Sequence, residues 1–324
     1  MIRTLVIALA PTLLAFTGAV PLEVQEWTVP WPDTRPRDPY VAPNGLVWFV
    51  GQQGDYVATL DPKSGKFDRY EIEEGTHPHN LVVAPDGMVW YTGNRNARLV
   101  KLDPRTRKLT NYPMPDGQAD DPHTMVLDQA GNAWFTAQGA AAVGRRDAKS
   151  GEIRVWEMGG GTRPYGIELD PEQRPWVVLF GTNVIATIDP ATMKERRFEL
   201  PEGARPRRVA ATASGIWYGD YARGYLGRLD PATGKVSEFV LPAGKASLPY
   251  AMAHDDKGKI WLAETGVRPN RLVGFDPRTG TFTDTVATEG GGDPNTLRHM
   301  VFHRPTREIW YGTDRGTVGR LRVP

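Results

Sequence analysis

Three tyrosines, three histidines and an arginine recur at one register of the chain: Tyr40, His79, His123, Tyr165, Arg207, Tyr250 and His299. Six of them follow a proline, and His299 follows Arg298. These side chains can do chemistry. Imidazole titrates near neutrality, guanidinium pairs with anions, and a phenol takes a proton when its pKa is brought down. The same residue types also fill a wide, water-lined channel without any reaction, and spacing alone leaves both readings open.

A second register reads Gly51, Gly93, Ala137, Leu179, Asp220, Glu264 and Thr313. Its two carboxylates fall in successive repeats. With His299 at the same mouth, Glu264 is a candidate ligand for a divalent cation such as magnesium, with Asp220 or water completing the shell. The plainer role for both is to neutralise Arg207, Arg208 or Arg223. His299 is the candidate base. Tyr250 is a second one, although a phenol with a pKa near ~10 needs help to act at neutral pH. His77, His254 and His303 flank the register and are assigned to structural or exposed positions. No nucleophile elbow, P-loop or His-Glu-x-x-His sequence is present.

Both registers belong to a repeat. Trp48, Trp90, Trp134, Trp176, Trp217, Trp261 and Trp310 stand 42, 44, 42, 41, 44 and 49 residues apart. Turns of the form Asp61-Pro-Lys-Ser-Gly recur at Asp103, Asp147, Asp189, Asp230 and Asp276. In the stretch Pro122 to Met158, four short runs of branched and aromatic residues are separated by such turns, which predicts four antiparallel strands. One four-stranded sheet cannot bury both faces, so it needs neighbours of its own kind. This period and strand count predict an all-β, seven-bladed β-propeller. The last repeat runs out one strand short at Pro324, and Val24-Gln-Glu-Trp-Thr-Val29 supplies the missing strand, which closes the ring.

The register of Tyr, His and Arg then lines the axial channel, because the first strand of each blade faces the axis. A net charge of +1 gives no reason to expect nucleic acid, and the absence of cysteine excludes disulfide and cysteine-zinc frameworks. Residues 1–19 read as a signal peptide: Arg3, an apolar run from Leu5 to Phe16, then Thr17-Gly-Ala19. The apolar run is short for a membrane span, so the expectation is one propeller domain over residues 20–324, periplasmic or secreted and monomeric, with no membrane span. The glycine-rich connection from Thr288 to Thr296 is either a lid over one mouth or a plain loop.

Pro164-Tyr-Gly-Ile167, Trp134-Phe-Thr136, Val143-Gly-Arg145, Leu226-Gly-Arg228, Val318-Gly-Arg320 and Arg69-Tyr-Glu-Ile72 together resemble the virginiamycin B lyase (streptogramin lyase) family over every blade. The resemblance implies a seven-bladed propeller that linearises a cyclic depsipeptide by elimination. It also implies a histidine base and a magnesium ion held by glutamate, the pair being written Pro-His with Trp-Phe-Thr-Glu in one blade. Here the pair is split. Pro122-His123 is followed by Trp134-Phe-Thr-Ala137, Pro78-His79 by Trp90-Tyr-Thr-Gly93, and Glu264 in Trp261-Leu-Ala-Glu264 is preceded by Pro249-Tyr250. Three functions remain open: a lyase opening a cyclic ester, a metal-dependent lactone hydrolase using Glu264 and Asp220, and a binding or scaffold propeller. In each, the partner is a small or peptide-like ligand in the central channel.

Overall fold

The computed structural model describes residues 22–289 and 296–324. The expected signal peptide and the centre of the glycine-rich connection lie outside the described residues. The described chain forms seven four-stranded antiparallel sheets. Six sheets each use four consecutive strands. The seventh joins Leu297–His303, Glu308–Thr313 and Thr317–Arg322 to the N-terminal strand Glu23–Thr28. That strand runs antiparallel to Thr317–Arg322, pairing Glu23 with Arg322 and Thr28 with Thr317, so the propeller closes as expected. No helix among the described residues is long and apolar enough to cross a membrane.

The repeated tryptophans explain why the sheets stack. Each lies on the second strand and is almost fully buried. In five consecutive blades it packs on an aromatic of its own fourth strand, as Trp48 on Tyr70, Trp90 on Tyr112, Trp134 on Trp156, Trp176 on Phe198 and Trp217 on Phe239. The closing strand reproduces this contact: Trp27 stacks on Trp310 with ring centroids 5.6 Å apart. Clusters such as Trp134, Ile167, Val177 and Ala186 then bridge adjacent sheets, so the core is a ring of inter-blade seams.

The recurrent aspartates close the outer hairpins. Asp61, Asp103, Asp147, Asp189, Asp230 and Asp276 each accept a hydrogen bond from the backbone N–H two residues on. The residue that ends the turn is left-handed. It is glycine in four of the six, and Arg107 (φ 58°) and Met193 (φ 59°) in the others.

Every first strand carries a bulge near its start. In the third blade Pro122 pairs with Ala137, but the ladder resumes only at Met125 opposite Phe135, and all seven blades repeat the shift. The two residues between are off the ladder; in the first blade, where Arg37 still pairs with Val50, they are Asp38 and Pro39. Threonines of the second strand hold this geometry. Thr92 Oγ1 accepts the Asn80 N–H and donates to the carbonyl of His123; Thr136 does the same for Thr124 N–H and the carbonyl of Tyr165. The bulge turns two successive side chains per blade toward the axis, giving the channel two polar layers.

Candidate functional site

Register fixes which residues form the outer layer. Pro36, Pro78, Pro122, Pro164, Pro206, Pro249 and Leu297 pair with Gly51, Gly93, Ala137, Leu179, Asp220, Glu264 and Thr313. The next residue in each blade is therefore Arg37, His79, His123, Tyr165, Arg207, Tyr250 or Arg298. Five of these are the expected residues. Tyr40 is not in the layer: it pairs with Trp48, as Val82 pairs with Trp90, and sits three residues further down the wall. His299 belongs to the inner layer with Asp38, Asn80, Thr124 and Arg208.

The outer layer is a continuous chain of contacts. Arg37 Nη1 donates to Gln52 Oε1 at 3.1 Å and lies 2.7 Å from His79 Nε2. An arginine only donates, so His79 Nε2 is the acceptor and its Nδ1 carries the proton, 3.2 Å from the carbonyl of His123. The His79 and His123 rings lie 3.6 Å apart, and His123 packs on Tyr165 at 4.4 Å. The Tyr165 and Tyr250 hydroxyls are hydrogen-bonded. The Arg207 guanidinium lies 3.5 Å from the centre of the Tyr250 ring, and Arg298 Nη1 donates to the Tyr250 oxygen at 3.5 Å. Arg298 in turn pairs with Asp314, which also faces Arg35 at 3.6 Å.

Charge dominates this mouth. Burial, then Arg37 and its neighbours, hold His79 and His123 well below the usual histidine range, so both are neutral. Burial raises the Tyr250 phenol, but Arg207, Arg37, Arg208 and Arg298 outweigh it and bring it down to about 7. Burial and the neighbouring Tyr250 push Tyr165 up, so the proton between the two hydroxyls belongs to Tyr165. In the inner layer, burial raises Asp38, but His299, Arg37, Arg208 and the Asn80 amide together lower it. Burial takes His299 down to about 4 despite Asp38. His299 is thus a neutral but weak base.

The two carboxylates sit where register put them and are otherwise engaged. Glu264 is fully buried. Its Oε1 accepts the Ala243 N–H at 2.8 Å and the Ser247 hydroxyl at 2.9 Å, while its Oε2 takes Arg271 Nε at 2.8 Å and Nη2 of the same guanidinium. Asp220, equally buried, accepts the N–H groups of Arg205, Ala222 and Arg223 and the Arg223 guanidinium. Each pins an inter-blade connection to a strand end. The acceptor positions that magnesium would need are occupied, and no group of three His, Asp or Glu among the described residues could hold a metal ion. These residues do not fit the group. Glu264 and Asp220 are fastenings, and neither meets His299.

Arg208 was not among the candidates, yet it divides the channel. It reaches from the fifth blade to the carbonyl of Arg298 in the seventh, through Nε and Nη2 at 3.3 and 3.1 Å, and to Thr124 Oγ1 in the third, through Nη1 at 3.2 Å. On one side of this crossbar lies the outer layer of rings, nearly closed. On the other is an open apolar cavity that His299, Tyr40 and His254 line.

Among known proteins, the model of the virginiamycin B lyase family matches residues 22–321. A structure of streptogramin B lyase superposes with a TM-score of 0.83 at 22% identity, covering 94% of this chain and 98% of that one. A catalytically inactive virginiamycin B lyase from Staphylococcus aureus with quinupristin also superposes at 0.83, with 20% identity and coverage of 94% and 100%. Hydrazine synthase of Kuenenia stuttgartiensis superposes at 0.73, with 17% identity and coverage of 91% and 97%. At these identities the likeness is one of fold. No curated protein matches the chain.

Proposed function

The chain belongs to the virginiamycin B lyase family, and from that premise we propose that it opens an ester by elimination at the guanidinium-lined mouth, with Tyr250 as the base and arginine in the place of the metal. The observation that carries this reading is the Tyr250 hydroxyl, held between Tyr165 and Arg298 beneath the Arg207 guanidinium. The phenolate takes the proton next to a carbonyl, and the charge that develops on the carbonyl oxygen is met by Arg207 or Arg298. The C–O bond on the neighbouring carbon then breaks. Its electron pair leaves with the carboxylate oxygen, a carbon–carbon double bond forms, and the proton rests on Tyr250. A metal-dependent hydrolase would draw on Glu264 and Asp220, whose oxygens are already bound. The sequence signals for export, Arg3 and the Leu5–Phe16 run, support an activity outside the cytoplasm.

A second reading, a binding propeller without turnover, is favoured by the closure of the outer layer: Tyr250 is 2% and His123 3% exposed. One experiment separates them. Cyclic depsipeptides and macrolactones are incubated with the protein and followed by mass. Elimination opens the ring at unchanged mass, and hydrolysis adds water. Tyr250→Phe should lower turnover by about 10²–10⁴-fold, and a chelator should leave it alone. Ligand binding that Tyr250→Phe leaves intact, with no compound turned over by wild type, selects the binding reading. Activity abolished by a chelator returns the metal.

A further inference from the structure

Beyond the crossbar, at the mouth where the first strands end, the channel holds a cavity of about 580 Å³. Leu81, Met125, Ile167, Val209, Met252 and Met300 supply its walls, and its inner end is Arg208 with Thr124, Asn80 and His299. A cavity of this size with a few convergent polar groups is the form that small-molecule sites take.

The charge at the inner end is unusual. Arg208 is 3% exposed, and its three hydrogen bonds all go to neutral oxygens, two to one carbonyl and one to a hydroxyl. Asp38, the carboxylate of the same layer, lies near enough to feel the Arg208 charge but makes no ion pair with it: its Oδ2 accepts from Asn80, and its Oδ1 faces Arg37 Nε at 3.7 Å. A buried cation without an anion in contact is costly, and guanidinium has five N–H donors, of which one on each terminal nitrogen remains unused. His299 Nδ1 also has no hydrogen-bond partner. A carboxylate would answer the guanidinium with charge-assisted hydrogen bonds, while an apolar body would cover the walls.

We propose that this cavity binds an apolar carboxylic acid, its body against the methionine and branched side chains and its carboxylate on Arg208 beside His299. The rim carries both signs of charge, with Glu168 and His254 3.4 Å apart and Asp255, Asp256 and Arg304 beside them, whereas Arg208 is the charged group at the inner end, so a carboxylate is favoured there. This site lies across Arg208 from Tyr250 and stands whether or not the other mouth is catalytic.

The test uses the mature protein with a bromophenylbutanoate and the corresponding bromophenylbutanol. The acid is expected to bind at least tenfold more tightly than the alcohol by calorimetry, and anomalous scattering from a soaked crystal should place bromine among Met125, Met252 and Met300. Arg208→Gln should reduce acid binding tenfold or more and remove the preference over the alcohol. Should that variant fail to fold, the wild-type preference and the bromine position decide. Equal binding of acid and alcohol, bromine outside this cavity, or a folded Arg208→Gln protein that keeps the preference would each overturn the proposal.

Discussion

The two mouths of the channel are built from the same strands and have opposite chemistry. At the starts of the first strands, bulged residues put two tyrosines, two histidines and three arginines around the axis and pack them against one another. At the ends of those strands, regular pairing resumes and the inward positions are apolar, which leaves room. Polar side chains fill their mouth because each finds a partner on another blade: arginine on tyrosine, histidine on histidine, hydroxyl on hydroxyl. The apolar side chains of the other mouth have no such partners and leave a cavity between them. The contrast teaches that a propeller channel is not one environment, and that a single long side chain, Arg208, suffices to divide it.

The largest effect that would sharpen this contrast concerns Glu264. If the ring mouth is fastened by its carboxylates and not metallated through them, Glu264→Gln leaves Arg271 facing an amide N–H. It should cost about 3 kcal/mol of stability in urea unfolding, since losing one partner of a buried pair is strongly destabilising. Arg271 is part-exposed, so the lower end of the usual range applies. Magnesium should alter neither protein's melting; a variant as stable as wild type that has lost a magnesium response breaks the comparison.

Titration tells the mouths apart at intermediate scale. Tyr250 is depressed to about 7 from the ordinary phenol value, so between those two values the unfolded chain binds the extra proton. Its contribution to stability is complete above the ordinary phenol range and is lost as pH falls through about 7. The near-ultraviolet phenolate signal should rise through that pH, and, on the proposed elimination, turnover with it. Tyr165→Phe removes the neighbouring hydroxyl and should move the midpoint upward by about one unit, the scale of a hydrogen bond to the charged form. A midpoint that stays put would detach Tyr165 from the site.

The smallest effect has the opposite sign. At the other mouth, the hydrogen bond to Glu168, aided by its charge, outweighs burial and raises His254. The stability this adds is full below the ordinary histidine pKa and disappears as pH rises through the raised value. His254→Gln should therefore destabilise mildly acidic protein by under about 1 kcal/mol, because both groups are part-exposed, and do nothing in alkali. Equal loss at both extremes would show a packing role instead.

Much of this architecture is legible in the chain itself. Trp spacing and Asp turns suffice for the blades, and the closing strand is recognisable from its tryptophan. The outer layer is legible at five of its seven positions. At the first blade Pro36 and Pro39 both precede polar residues, and the proline before Tyr40 misleads. The spacing to tryptophan holds the better signal: His79, His123, Tyr165 and Tyr250 each stand eleven residues before theirs, as Arg37 does, whereas Tyr40 stands eight. At the seventh blade the same spacing points to His299, because that hairpin is one residue longer: Val301 pairs with Trp310, nine apart, where Val82 pairs with Trp90, eight apart. The role of Glu264 is not legible, since its partners Ala243 and Ser247 arrive from a connection whose path depends on the folded ring. Nor is the cavity, whose walls read as ordinary strand interior. His254, set aside as a flanking residue, proves to stand at its rim.

The pairing of Glu23–Thr28 with Thr317–Arg322 has a consequence for how the molecule comes apart. A linear array of repeats has two end units with one neighbour each, and it frays from them because they are held by half as many interfaces. Here the first and last blades are neighbours, and the strand that completes the last comes from the opposite terminus. No blade is an end. Opening any one requires breaking two seams at once, so partial unfolding gains little chain entropy for the packing it gives up. Loss of structure should then be close to all-or-none, with amides of all seven second strands showing one common free energy of opening, that of global unfolding.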